Sequence, residues 1–210
     1  MICCCLAKAQ QSKLGVSLTP AIVQTPWLKL GVQPGIEFRI NDRLFLLTEI
    51  TFVTHGHNDS SSRNSKYFRI KPELRYTLCE PFPGFKIYGG LQVAYSYRKW
   101  DNLNEGCYNI KNENTYKINY TKCSIKSPIF TSSLQVGALI PASKHFYFDF
   151  FMGLGVRTIF TDYYNVENAS TDAYNTRVCK IFPSPDPAYW VNGTLSRFHS
   201  NIGLRFLYRF

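Results

Sequence analysis

No stretch of about 18 uninterrupted apolar residues occurs in this chain, so it holds no transmembrane helix. It also lacks a Gly-rich phosphate loop and any zinc-type cysteine spacing, which removes two common nucleotide and metal signatures. Acidic residues are scarce, 14 against 24 Lys and Arg, giving a formal net charge of +10. Such an excess bears on solubility and surface chemistry, and less on nucleic-acid binding. Disorder is excluded by the other side of the composition: 16% of the 210 residues are aromatic and 18% are charged. The length suits one domain.

What the chain does have is a period of two. In its last fifteen residues, SRFHSNIGLRFLYRF, one alternate set is Phe198, Ser200, Ile202, Leu204, Phe206, Tyr208 and Phe210. The other set is Arg197, His199, Asn201, Gly203, Arg205, Leu207 and Arg209. Side chains alternate across a strand, so this is one strand with an oily face and a polar, arginine-bearing face. The same alternation predicts strands over 13–22, 28–40, 43–53, 66–78, 85–98, 128–140 and 145–160. Eight strands result, with compact turns near Asn41, Cys79 and Ala142 and longer polar loops over 100–127 and 161–195. The fold class expected is therefore all-β, an eight-stranded antiparallel up-and-down transmembrane β-barrel with short periplasmic turns and long extracellular loops. Pro20, Pro34 and Pro72 interrupt the ladder, since none offers an N–H.

At the start, Ala7-Lys8-Ala9 after an apolar Ile2 to Leu6 fits the end of a secretion signal. The expectation is a residual signal segment over 1–9 and a barrel domain over 10–210, placed in the bacterial outer membrane. Alternation alone does not tell a membrane barrel from a soluble one with an oily centre. The glycines decide. Gly15, Gly31, Gly35, Gly90, Gly137, Gly153, Gly155 and Gly203 share the polar face with long charged residues, as a crowded interior requires. Aromatic residues of the oily face gather at strand ends, the pattern of two interfacial belts.

Charged residues on the interior face fall into two groups. Glu37, Arg39, Glu49, Lys71, Glu73, Arg75, Lys86, Asp149 and Arg205 predict an ion-pair network filling the lumen, because buried charges must pair. Lys29, Arg69, Arg98, Arg157, Arg197 and His199 have few acids nearby and predict a basic mouth that attracts an anion such as a lipopolysaccharide phosphate. No catalytic residues, cofactor or metal ligands are expected. His199 and Ser200 are adjacent and so fall on opposite faces, where one cannot activate the other. Cys107 and Cys123 share one loop and could bridge it; Cys179 could instead pair with either. The upper loops over 108–120 and 163–190 mix Tyr, Asn and Trp, which suits contact with a protein or a glycan. The function expected is a non-enzymatic membrane anchor displaying recognition loops, with a narrow channel or a lipid-modifying enzyme as alternatives.

The segments PELRYTLCEPFPGFKIYGGLQVAYS and SLQVGALIPASKHFYFDFFMGLGVRTIFTDYY carry a resemblance. With Arg75-Tyr76-x-Leu78-Cys79-Glu80, Gly89-Gly90 and Gly153-x-Gly155 in that order, the chain resembles a Bacteroidota-type domain-of-unknown-function family of small, OmpA/OmpX-like outer-membrane barrels. That resemblance implies a barrel in contact with outer-membrane lipid and lipopolysaccharide, and supplies no catalytic residues. It also implies membership of a surface assembly. Terminal Phe210, with apolar residues at alternate positions before it, looks like the signal read by the barrel assembly machinery.

Overall fold

The computed structural model describes residues 13–24, 28–53, 65–111, 115–171 and 191–210. These form strands β1 Leu14–Gln24, β2 Leu28–Arg39, β3 Leu44–Val53, β4 Ser65–Phe82, β5 Phe85–Lys111, β6 Thr115–Lys126, β7 Ile129–Pro141, β8 Phe146–Glu167, β9 Ser170–Thr171 and β10 Val191–Arg209. All ten belong to one mostly antiparallel sheet. β10 pairs with β8 along one edge and with β1 along the other, so the sheet closes in a ring.

The count of ten corrects the expected eight. The stretch 100–127 is not a loop: β5 runs on to Lys111, and β6 returns along it from Thr115↔Lys111 to Lys126↔Lys99. β8 likewise extends past 160 to Glu167 and pairs with β6. The reason lies in a register shift between Trp100 and Leu103, where Asn102 takes a left-handed φ of 55°. One extra residue there breaks the regular alternation, so counting by twos loses the strand. Above it a second core assembles from Trp100, Tyr108, Tyr120, Cys123, Ile125 and Tyr163, with Tyr108 and Tyr163 stacked at 4.2 Å.

Local chemistry sets the opposite, lower end. Between β2 and β3 the Asn41 side-chain oxygen accepts from the backbone N–H of Arg43 (2.9 Å) and Leu44 (2.8 Å), folding the turn. Gly84 sits at φ 82° between β4 and β5, and its N–H donates to Glu80. Ser143 receives the N–H of Phe146 between β7 and β8.

Two features of the ring matter below. Its outer surface is apolar from β1 round to β10, with Leu18, Ile36, Phe52, Leu74, Phe130, Leu154 and Ile202 all exposed. Its closure is uneven. β10 pairs with β8 continuously from Gly193↔Thr161 to Tyr208↔Phe146. Toward β1 the register runs only through Gly15↔Arg209, Val16↔Tyr208, Ser17↔Leu207 and Leu18↔Phe206, all at the lower end. Above Leu18 the two strands continue without a ladder between them.

Candidate functional site

The interior is built by the same alternation. Glu37 on β2, Glu49 on β3, Lys71, Glu73 and Arg75 on β4, Asp149 on β8 and Arg205 on β10 are all buried inside the ring. Arg205 is fully enclosed and reaches carboxylates on three other strands. Its Nε and Nη2 donate to Glu49 at 2.9 Å each, Nη2 also reaches Glu73 at 3.1 Å, and Nη1 pairs with Asp149. Arg75 interleaves with it, contacting Glu73 at 2.7 Å, Asp149 at 2.8 Å and Glu37 at 3.5 Å. Lys71 pairs with Glu49, and Arg209 donates to Glu37 at 2.7 Å. Four acids (Glu37, Glu49, Glu73, Asp149) thus meet four bases (Lys71, Arg75, Arg205, Arg209), which is the balance a low-dielectric interior demands.

Two residues assigned to this network from the sequence sit at its lower margin, beside Glu37. Arg39 turns down to Asp42, in the turn after its own strand, because it sits at the last position of β2 where the side chain reaches solvent. Lys86 is buried and lies over the Phe45 ring, 5.7 Å from its centre, without an ion pair among the described contacts. Both line a cavity of about 340 Å³ at the lower end.

Sequence reasoning missed the aromatic part of the plug. Arg75 stacks on Tyr88 (4.7 Å), Arg205 on Phe151 (4.5 Å), and Arg209 lies over Phe45 (4.7 Å) and Tyr147 (5.0 Å). Tyr88 also donates to Asp149 at 2.7 Å. These rings fit because glycines face them: a Cβ at Gly137 would overlap the Tyr88 ring, and one at Gly203 the Phe151 ring. Parity was the available signal, since Phe45, Tyr88 and Phe151 share the face of Glu49, Lys86 and Asp149.

Above the plug, Arg69, Arg98, Arg157 and His199 converge on a cavity of about 280 Å³. No Asp or Glu lies among its described lining residues. Arg197 faces Arg157 across the β8–β10 ladder but does not line the cavity, and the side chain of Lys29 lies outside those described. His199 is directed inward while Ser200 is exposed on the opposite face.

The Cys107–Cys123 bridge is corrected. Cys123 is a free, buried thiol, and Cys107 is held in a disulfide whose other half lies outside the described residues, as does Cys179. Geometry explains it: Cys107 pairs with Asn119 and Cys123 with Leu103, an offset of four residues. That is about 13 Å along a strand, well beyond the roughly 7 Å limit between bridged Cα atoms. Residues 1–9 lie outside the described residues as well. Among the described residues, no group of three or more His, Cys, Asp or Glu is arranged to hold a metal ion.

Three comparisons bear on this arrangement. A family model described as "Protein of unknown function (DUF3575)" matches residues 2–185. No curated protein matches the chain. Among solved structures, the chain is similar to a major outer membrane protein from Thermus thermophilus, with 14% sequence identity and a TM-score of 0.45, over 95% of this chain and 99% of that one.

Proposed function

The chain belongs to DUF3575, a family of proteins of unknown function, and from that premise and the ring's geometry we propose that it is a non-enzymatic, integral outer-membrane β-barrel with a closed polar interior. It anchors its upper strands and loops at the cell surface, where they engage a protein or glycan partner or join a larger surface assembly. One observation carries this reading: the ring turns its apolar side chains outward all the way round and buries its carboxylates and guanidinium groups inside. Water outside the ring would demand the reverse arrangement. Lipid demands this one, and the inter-strand ladders around most of the ring satisfy backbone groups within the hydrocarbon layer.

The tight lower turns then lie in the periplasm and the long upper extensions outside, the habit of such barrels. Phe210, exposed at the lower end, serves as the recognition residue for the barrel assembly machinery, and the outer surface contacts outer-membrane lipid and lipopolysaccharide. The interior needs no cofactor, and nucleic acid is not a partner. Membrane fractionation followed by an alkaline wash tests the location: the protein stays in the membrane pellet, and release into the wash overturns the reading. Planar-bilayer recording tests the plug: the interlocked Arg75 and Arg205 give no conductance steps. Regular steps would establish a narrow channel instead.

A further inference from the structure

We propose that the upper cavity binds the phosphate-bearing headgroup of a membrane lipid, which enters sideways through the seam between β1 and β10. The proposal rests on the membrane reading above and adds to it a site, a ligand class and a route.

The seam is the first observation. Pairing of β1 with β10 stops at Leu18↔Phe206, although β1 continues to Gln24 and β10 begins as far up as Val191. Pro20, the next outward-facing residue of β1, has no N–H to offer, and proline is tolerated on an edge of this kind. The cavity opens through this gap: its lining includes the exposed Ile22 of β1 and Ser200 of β10, one from each lip, as well as the inward arginines. Access along the axis is obstructed on both sides. The ion-paired plug lies below, and Ile129, Ile159 and Leu195, each two residues further up its strand than Thr131, Arg157 and Arg197, pack together above.

The second observation is chemical. Arg69, Arg98, Arg157 and His199 surround a volume with room for a phosphate group and several waters at about 30 Å³ each. Arg69 Nε and His199 Nε2 are buried and make no hydrogen bond among the described residues. A guanidinium N–H in that state costs free energy unless an acceptor arrives. A phosphate monoester suits forked guanidinium donors better than a neutral or zwitterionic group. On the outer side of the gap, Ile22, Phe198 and Ile202 (82% exposed) provide the apolar surface along which acyl chains lie.

The test uses the full chain folded in dodecyl maltoside, with native mass spectrometry to count bound molecules. The probes are dimyristoyl phosphatidic acid, dimyristoyl phosphatidylcholine and inorganic phosphate. One phosphatidic acid is expected per chain, held about tenfold or more tightly than phosphatidylcholine, with no retention of inorganic phosphate. The double variant Arg69→Ser, Arg157→Ser loses that preference. A second variant leaves the arginines intact. Continuing the Leu18↔Phe206 register brings Ile22 opposite Ile202, so Ile22→Cys with Ile202→Cys, in a Cys79→Ser background, staples the seam when oxidised. The stapled form excludes phosphatidic acid and the reduced form takes it up again. Equal binding of the two lipids, unchanged binding in the arginine variant, or uptake by the stapled form each overturns the proposal. So does retention of inorganic phosphate through a stapled seam, which would mark a soluble-anion site reached along the axis. Loss of a heat-modifiable folded band in unmodified protein would instead sink the membrane reading, so the two failures are distinguishable.

Discussion

Arg205 shows how much a single residue does here. All three of its guanidinium nitrogens donate to carboxylates, four hydrogen bonds in all to β3, β4 and β8, so it ties together strands far apart in the chain. In Arg205→Met three enclosed acids lose a shared counter-charge, and removing one partner of a buried pair costs about 3–5 kcal/mol. The expected outcome is a clearly lower temperature at which the folded band disappears on an unboiled gel. Arg205→Lys does not restore it, since one ammonium cannot fork to several acids; full recovery with lysine would contradict the account. The thiols give a second residue-scale expectation. Cys79 is exposed, whereas burial pushes the Cys123 thiol pKa up, outweighing the opposite effect of its hydrogen bond with Tyr120, and keeps it protonated. Maleimide at pH 8, followed by peptide mapping, labels Cys79 in the folded protein and Cys123 only after denaturation.

Among the elements, the upper continuation of β5, β6 and β8 behaves as a small unit with its own apolar centre. Tyr163 stacks on Tyr108 and also neighbours Tyr120, so Tyr163→Ala opens that centre without touching the plug. Limited proteolysis is expected to cut the upper strands faster, while the thermal stability of the ring stays within a few degrees of wild type; a matched fall in both would make the ring and its extension one cooperative body. The same region marks where reading by sequence stopped. Strands whose oily positions alternate without interruption, such as β3 and β7, were legible from period alone. The continuation beyond Trp100 was not, because Asn102 adds a residue out of phase and the surrounding Asn and Lys resemble a loop. For the interior, charge placement on alternate positions located most of the acids and bases. It did not distinguish Arg39, at a strand end, from Arg75, at mid-strand, nor reveal that rings back the arginines. The seam was invisible for a different reason: periodicity states which way a residue faces, never which strand stands beside it.

For the molecule as a whole, closure depends on contacts between its two extremes. All four β1–β10 pairs involve residues from Phe206 to Arg209, so deleting 206–210 removes the entire ladder between those strands. That variant is expected to lose heat-modifiability altogether and to appear in inclusion bodies; a folded, membrane-inserted truncation would show that the ring does not need this ladder. At the same place the Phe210 N–H donates to the Leu14 carbonyl at 3.3 Å. The two extremes therefore meet, and a few residues of flexible linker would span them. A circularly permuted gene that joins 210 to 13 and starts instead at Asp42, in an exposed turn, would encode the same strand neighbours in a new order. Such a protein tests whether sealing the cylinder requires only that residues 206–210 occupy their place in space, whatever their order along the chain.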